Sequence, residues 1–206
     1  MNSQFNLRAL LMGAPMQLRY VKRFSTCRVL HPESVAEHSY YTALYALFIC
    51  HYLKQHKSWV VDEGLLLRRA LLHDFEESRT GDIIRTFKRS NEVLESAIEV
   101  GASDAMDDIL KKLFKSRTLQ EFFYVEWGEA KDQTVEGRIV KFADFLSVVS
   151  YMCEELRSAN ATMREHVLCM REYIELFDSA EYAFLGDLLE QAREVCNEFI
   201  FVDETV

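Results

Sequence analysis

The chain has 206 residues, of which 49% are hydrophobic and 28% charged, with a formal net charge of −9 at pH 7. This composition is typical of a folded globular protein, and the length favours a single domain over residues 1–206. The negative charge excludes broad binding to polymeric nucleic acid, because that affinity comes from accumulated lysine and arginine, but it leaves room for a small anionic ligand in a local basic pocket.

Helices are the predicted elements, because seven glycines and two prolines are too few for the turns of a sandwich or barrel. The first predicted helix covers 35–56, with Ser34 and Glu37 placed as a capping box at its start. The second follows Asp62 and continues to about Glu77, before a Thr-Gly turn. The sequence therefore predicts an all-α fold.

Further helices are predicted in the second half of the chain. The segment 134–158 is apolar on nearly every side in its middle, as in a helix at the centre of a bundle. Other helices are predicted at 91–100, 103–116, 161–177 and 180–201, the first two capped by Asn91 and Ser103. The apolar C-terminal pair adds the expectation of a homodimer.

The five cysteines are odd in number, widely spaced and free of any CxxC pair, which argues against a disulfide framework and a thiolate zinc site. They indicate reduced thiols in the cytoplasm. The N-terminus lacks the layout of a signal peptide, and no apolar run reaches the roughly 18 residues of a membrane span. A cytoplasmic chain without a membrane partner is therefore expected.

Three places interrupt the buried helices with side chains that can bind a metal: His38, the pair His73-Asp74, and Asp144. An ionised carboxylate in an apolar core, as at Asp144, is costly unless it is paired, hydrogen-bonded or bound to a metal. Two imidazoles and two carboxylates suit Co²⁺, Mn²⁺, Zn²⁺ or Fe²⁺, and four ligands leave positions open for water. Each residue alone is as readily an ordinary polar residue, but together they predict a catalytic divalent-metal site.

Glu77 lies four residues after His73 and three after Asp74, so on a continued helical turn it faces the same side as both. A carboxylate beside a water activated by a metal can act as a general acid or base. Glu77 is therefore the predicted catalytic residue, and a solvated carboxylate at a helix end is the alternative.

Three segments, ESVAEHS, LLHDFEESRTGDI and KFADFLSVV, resemble the successive motifs of the HD-domain metal-dependent phosphohydrolases, and more closely those of the bacterial 5′-deoxynucleotidases. The similarity runs from about Arg23 to Glu155. It implies an HD-domain helical bundle with the metal site in its central cleft.

The resemblance also implies a role for each residue that matches a family motif. One position departs, because the deoxynucleotidases carry tryptophan, packed near the sugar C2′, where this chain has Phe24. The implied metal ligands are His38, His73, Asp74 and Asp144; Glu77 matches the catalytic carboxylate, Arg23 an arginine that contacts the nucleotide, and Asp82 an aspartate that holds the sugar 3′-hydroxyl.

Lys88 joins Arg23 as a predicted phosphate contact, because two local basic clusters flank the motifs in an otherwise acidic chain. Solvated surface is the ordinary alternative for either residue. An aromatic string at 122–127 could stack a base, although core packing or a subunit interface is favoured.

The implied activity is hydrolysis of a deoxynucleotide, in its simplest form the release of phosphate from a deoxynucleoside 5′-monophosphate. Two alternatives stay open. One is a triphosphohydrolase that releases tripolyphosphate from a deoxynucleoside triphosphate, since branches of the superfamily share the four ligands. The other is a non-catalytic nucleotide-sensing module, which the presence of Glu77 disfavours.

Overall fold

The computed structural model describes residues 4–201, without the side chains of residues 165, 167, 168, 171, 172 and 199–201. This part of the chain folds into α-helices joined by turns and short 3₁₀ segments and contains no β-sheet, so the all-α prediction is confirmed. None of these helices is long and apolar enough to cross a membrane. The helices are α1 (Leu7–Met12), α2 (Ala14–Gln17), α3 (Val35–His56), α4 (Glu63–Leu72), α5 (Glu77–Thr80), α6 (Arg85–Lys88), α7 (Glu92–Leu113), α8 (Arg117–Gly128), α9 (Val135–Arg157), α10 (Arg164–Ile174) and α11 (Asp187–Phe201).

The centre of the molecule is formed by α3, α4 and α9, which pack against one another. The helix α3 begins where the sequence predicts, because Ser34 Oγ accepts a hydrogen bond from the Glu37 N–H (3.2 Å) and the Glu37 carboxylate accepts one from the Ser34 N–H (2.7 Å). Each large side chain buried in this core contributes roughly 1.5–3 kcal/mol to folding. Examples from the three helices are Leu53, Leu66, Phe142 and Phe145.

Two further layers cover this centre. On one side, α2 and α7 share a second apolar cluster with the start of α3 and with Phe75. On the other side, the chain from α10 to α11 packs its apolar residues into the central core, including Ile174, Phe177, Leu185 and Cys196. Polar side chains that point inward from α3, α4 and α9 therefore meet in a space that is walled on several sides.

The helix predicted after Asp62 ends at Leu72 rather than near Glu77. Beyond it the chain tightens, because Phe75 N–H donates to the Leu72 carbonyl (2.9 Å) and Glu77 N–H donates to the Asp74 carbonyl (3.2 Å), each three residues back. In such turns the side chains at positions i and i+3 eclipse. Asp74 and Glu77 therefore still face the same side, as predicted, although the helix does not continue.

The two helices predicted at 91–100 and 103–116 are a single helix, α7, and this prediction was wrong. Asn91 caps it as expected, since its side chain accepts the Leu94 N–H, but Ser103 lies within the helix. Gly101 costs a helix interior only about 1 kcal/mol. The buried side chains that follow it outweigh this cost.

The C-terminal helices are shorter than predicted. The segment 161–177 contains α10 between two 3₁₀ turns. The helix α11 starts only at Asp187, because Gly186 has a φ of +51°, which is not helical and separates α11 from the 3₁₀ turn before it. The long helix predicted at 134–158 is confirmed as α9, capped by Thr134. The helix α8, which carries the aromatic string, is an addition to the predicted elements.

Candidate metal centre

His38 lies in the first turn of α3, at the position that the capping box sets, and is fully buried. Its Nδ1 is 3.0 Å from the hydroxyl oxygen of Ser147 on α9. With Nδ1 as the donor, the lone pair of Nε2 faces the space between α3, α4 and α9. A hydrogen bond of this kind is the usual means of orienting a metal-binding imidazole.

His73 stands at the C-terminal cap of α4 and is also buried. Its Nδ1 lies 2.7 Å from the carbonyl oxygen of Ala70, and a carbonyl can only accept, so Nδ1 carries the proton and Nε2 presents a lone pair. The tightening of the chain after Leu72 then brings the Asp74 carboxylate alongside this ring.

The four residues predicted as ligands converge on one point. The Nε2 atoms of His38 and His73 are 3.3 Å apart. Asp74 Oδ2 is 3.0 Å from His73 Nε2 and 3.6 Å from His38 Nε2. Asp144 Oδ1 is 3.0 Å from His38 Nε2 and 4.0 Å from His73 Nε2. One donor atom from each of His38, His73 and Asp74 falls within 4.8 Å of the others. Asp144, on α9, is not one of this group of three, but its Oδ1 lies within 4.0 Å of both Nε2 atoms.

This donor set fits a divalent cation. Burial, together with the positive charge of Arg23, lowers the pKa of His38 to about 4, so the ring is neutral at physiological pH. The Nε2 atoms of His38 and His73 face each other at 3.3 Å with two carboxylates beside them, and a cation between them would be held by all four groups. Imidazole and carboxylate ligands suit Zn²⁺, Mn²⁺, Fe²⁺ and Co²⁺.

Lys131, in the turn between α8 and α9, also reaches the cluster, and sequence reasoning missed it. Its Nζ is 2.7 Å from Asp144 Oδ2 and 3.7 Å from Asp74 Oδ1. Burial by itself would raise the pKa of Asp144, but Lys131 and the two histidines hold it well below its usual value. No spacing signal in the sequence connects residue 131 with 74 or 144, so only the tertiary fold reveals this contact.

Glu77 is half-buried beside the cluster, and its Oε2 is buried with no hydrogen-bond partner in the described structure. Burial, and then the negative charges of Asp74 and Asp82, raise its pKa to about 10. The neighbouring Glu76 differs, because its Oε2 accepts a hydrogen bond of 2.6 Å from the indole N–H of Trp127. Of these two adjacent glutamates, Glu77 is the one with a buried carboxylate oxygen that has no hydrogen-bond partner in the described structure.

Arg23 approaches the same centre and is held by Glu33, a buried residue that sequence reasoning did not single out. The Arg23 Nη1 to Glu33 Oε2 distance is 3.0 Å, and the Arg23 N–H donates to the Glu33 carbonyl (3.0 Å). Burial opposes the charge of Arg23, but Glu33, Asp144 and Asp74 together raise its pKa. The guanidinium is therefore fixed, charged and close to the proposed ligands.

Phe24 and Asp82 lie together, as their predicted common role requires. Burial raises the pKa of the Asp82 carboxyl, and the charge of Arg23 and the nearby backbone N–H of Phe24 oppose this rise. The φ of Phe24, +53°, is left-handed and unusual for a bulky residue. The Phe24 ring stacks on Tyr151, with centroids 5.1 Å apart, and this contact fixes where the ring lies.

Lys88 ends the short helix α6 and is half-buried. Within residues 4–201 it makes no ion pair or side-chain hydrogen bond, and nothing ties it to the metal centre. Its neighbour Arg85 lies over the ring of Tyr173 on α10, 3.9 Å from the ring centroid. The phosphate role of Lys88 therefore stays a prediction.

Comparison with known proteins places the fold and the family. A family model described as 5′-deoxynucleotidase YfbR-like matches residues 11–191. Similar solved structures include an HD-domain phosphohydrolase from Listeria innocua (21% identity, TM-score 0.72, covering 91% of this chain and 89% of that one). Two others, from Pyrococcus furiosus (24% identity) and Pyrococcus horikoshii (21% identity), each have a TM-score of 0.73 and cover 92% of this chain and 99% of theirs. The sequence has no match among curated proteins.

The structural likeness, at these identities, shows the HD-domain fold, while the family model spans most of the sequence and both of the predicted histidine positions. The geometry agrees with both, since the helices α3, α4 and α9 bring two histidines and two aspartates to one point. The chain therefore belongs to the YfbR-like 5′-deoxynucleotidase family and is a metal-dependent phosphohydrolase.

Proposed function

We propose that the protein is a 5′-deoxynucleotidase, which hydrolyses a deoxynucleoside 5′-monophosphate to the deoxynucleoside and phosphate. The observation that carries the proposal is the meeting of His38, His73, Asp74 and Asp144 beside Glu77, whose buried carboxylate oxygen has no partner in the described structure. Family membership supports the same chemistry.

The proposed ligands of the divalent ion are His38, His73, Asp74 and Asp144, through the two Nε2 atoms, Asp74 Oδ2 and Asp144 Oδ1. Such an ion supplies a Lewis acid that activates water and offsets the charge of the phosphoryl group. Co²⁺, Mn²⁺, Zn²⁺ and Fe²⁺ are the candidates, because the donor set is mixed nitrogen and oxygen.

Glu77 is the proposed general acid and base. The raised pKa of Glu77 would fall with a divalent cation bound beside it, because a nearby opposite charge favours the ionised carboxylate. Ionised Glu77 accepts a proton from the attacking water as the new bond to phosphorus forms, and a proton passes to the sugar O5′ as the P–O5′ bond breaks. Its position supports this role, since it eclipses Asp74 in a tight turn and has an oxygen free to hydrogen-bond to water.

The proposed substrate contacts are Arg23, Phe24, Asp82 and Lys88. Arg23 contacts the phosphate, because its guanidinium is fixed by Glu33 and close to Asp144. Phe24 packs against the sugar C2′, and Asp82 accepts a hydrogen bond from the 3′-hydroxyl. The nearness of the Phe24 backbone to the Asp82 carboxylate supports a shared sugar site. Lys88 is proposed as a second phosphate contact from α6.

We propose that the protein is cytoplasmic and forms a homodimer. A reducing compartment such as the cytoplasm fits the five cysteines, all of which are free thiols. A homodimer stays a prediction from the apolar C-terminal helices, and light scattering of the purified protein measures it directly.

A substrate panel tests the proposed function. The metal-free protein is loaded with Co²⁺, Mn²⁺, Zn²⁺ or Fe²⁺ and given deoxy- and ribonucleoside mono- and triphosphates, with products identified by chromatography. We expect phosphate and deoxynucleoside from the deoxy monophosphates. Glu77→Gln, purified in the same way, controls for contaminating phosphatases. Release of tripolyphosphate from deoxynucleoside triphosphates, with no monophosphate turnover, would instead identify a triphosphohydrolase, and binding without turnover a sensing module.

A further inference from the structure

Lys131 is held in place by structure on both sides of it. Arg69 of α4, which is 4% exposed, pairs through Nη2 with Glu129 (2.9 Å) and through Nη1 with Asp132 (2.9 Å). Asp132 also accepts the Thr134 N–H (2.9 Å), at the cap of α9. A buried arginine therefore fixes the turn that carries Lys131, so its approach to the metal centre is a built feature of the fold.

The ammonium of Lys131 divides the oxygens of the two aspartates. Asp144 Oδ1 and Asp74 Oδ2 face the histidine Nε2 atoms, whereas Asp144 Oδ2 and Asp74 Oδ1 face Lys131. The inner oxygens are thus available to a cation while the outer oxygens are engaged. An ammonium has three N–H donors, and in the described structure one of them donates a hydrogen bond to Asp144, while the 3.7 Å contact with Asp74 is an ion pair without a hydrogen bond.

Within the described residues, Asp74 and Asp144 are the carboxylates that pair with Lys131, and 33% of its side chain is open to solvent. Two carboxylates and one ammonium carry a net charge of −1, and a divalent ion changes this to +1. The loaded centre would therefore attract an anion, and the partly exposed Lys131 ammonium is a cationic group beside both proposed aspartate ligands.

We propose that Lys131 binds the phosphoryl group of the substrate, donating an N–H that Asp144 does not engage to a non-bridging phosphate oxygen while its hydrogen bond to Asp144 is kept. This inference rests on the proposed function, since it assigns a phosphate contact to the same centre. A lysine suits the task, because it offers a point charge to a phosphate without a fixed planar geometry.

The test measures phosphate binding without turnover. Inorganic phosphate is titrated calorimetrically into Co²⁺-loaded wild type, Lys131→Met and Lys131→Arg, and Co²⁺ affinity is measured on the metal-free proteins by visible absorption. Lys112→Met is the matched control, because Lys112 also pairs with an aspartate, Asp108 (2.6 Å), but on the exposed face of α7.

We expect Lys131→Met to weaken phosphate binding roughly 10- to 100-fold, the range of one charge-assisted hydrogen bond, with a much smaller change in Co²⁺ affinity. Lys131→Arg should keep most of the phosphate affinity, and Lys112→Met all of it. Unchanged phosphate binding in Lys131→Met would overturn the proposal. So would a loss of Co²⁺ binding as large as the loss of phosphate binding, since Lys131 would then act only by holding the ligands.

The same proteins separate this inference from the proposed function. If deoxynucleoside monophosphates are not hydrolysed but phosphate binding still depends on Lys131, the proposed reaction fails and the phosphate contact stands. If the monophosphates are hydrolysed and Lys131→Met leaves both the phosphate affinity and KM unchanged, the reaction stands and the contact fails.

Discussion

Replacement of Glu77 should separate catalysis from stability. Its carboxylate has one buried oxygen without a partner and lies against the charges of Asp74 and Asp82. General acid–base catalysis is typically worth roughly 10² to 10⁴ in rate, or about 2.7 to 5.4 kcal/mol of the barrier. We therefore expect Glu77→Gln and Glu77→Ala to lose turnover by that factor while they keep a full complement of metal.

The same substitution should not destabilise the protein. A buried polar atom without a partner costs roughly 1–3 kcal/mol, and the alanine variant removes it. Glu77→Ala should therefore unfold at the same temperature as the wild type or at a higher one, as is common where a catalytic group is held in an unfavourable environment.

The assays are kcat/KM for a deoxynucleoside monophosphate, metal content by mass spectrometry and thermal unfolding. Glu76→Gln is the control, because Glu76 is an adjacent carboxylate that is already engaged by Trp127 at 2.6 Å. Turnover close to that of the wild type in Glu77→Gln, or a collapse of activity in Glu76→Gln with Glu77→Gln unaffected, would refute the reasoning.

Three further predictions concern the metal, the sugar and the fold. Asp144→Ala should lower metal affinity by about 100-fold or more, beyond the effect of residues that only orient a ligand, and stoichiometric metal after dialysis would contradict this. Phe24→Ala should lower the ratio of kcat/KM for deoxyribonucleotides to that for ribonucleotides, whereas Phe24→Trp should keep or raise this ratio. Equal kcat/KM values for the two substrates in the wild type would contradict a role of Phe24 in excluding ribose. Burial opposes ionisation of Glu155, yet the N–H groups of Leu30 and His31 and the Asn160 amide hold its pKa below normal. The stability that ionised Glu155 contributes is therefore fully present above its unfolded pKa of about 4.3 and is lost as the pH falls through its lower folded pKa. Glu155→Gln should lower the free energy of unfolding by roughly 1.5–3 kcal/mol at neutral pH. In urea titrations at several pH values, the variant should lose less stability on acidification than the wild type does.

The parts of the site that could be predicted from the sequence are those set by local structure. The capping box at Ser34 fixes the start of α3 and hence the orientation of His38, because both lie within one helical turn. The spacing of Asp74 and Glu77 predicts that they face the same side, and this holds although α4 ends early. The reason is that turns of three residues and turns of nearly four residues both bring positions three apart to the same side.

The parts that were missed depend on contacts distant in the chain. Lys131 is held at the centre by Arg69 of α4, 62 residues earlier in the chain, which pairs with the turn that carries it. Glu33 lies in the same motif as His38, but the sequence did not single it out. Its partner Arg23 is ten residues earlier, in a segment without the regular periodicity that would predict their contact. The helix α7 continues through the predicted break between 100 and 103, because tertiary packing buries the apolar face that includes Ala102 and Met106, and the sequence gives no local signal of that burial.

The position of the candidate ligands has a consequence for the lifetime of the protein. The candidate ligands lie on or next to the three helices of the main core, α3, α4 and α9. An ion that binds only the folded chain would therefore act as a cross-link between these helices. By mass action, an ion present at 100 times its dissociation constant adds about 2.7 kcal/mol to the free energy of unfolding. A chain that has lost its ion therefore opens more often and is more exposed to proteolysis, so metal supply would set the abundance of the enzyme as well as its activity.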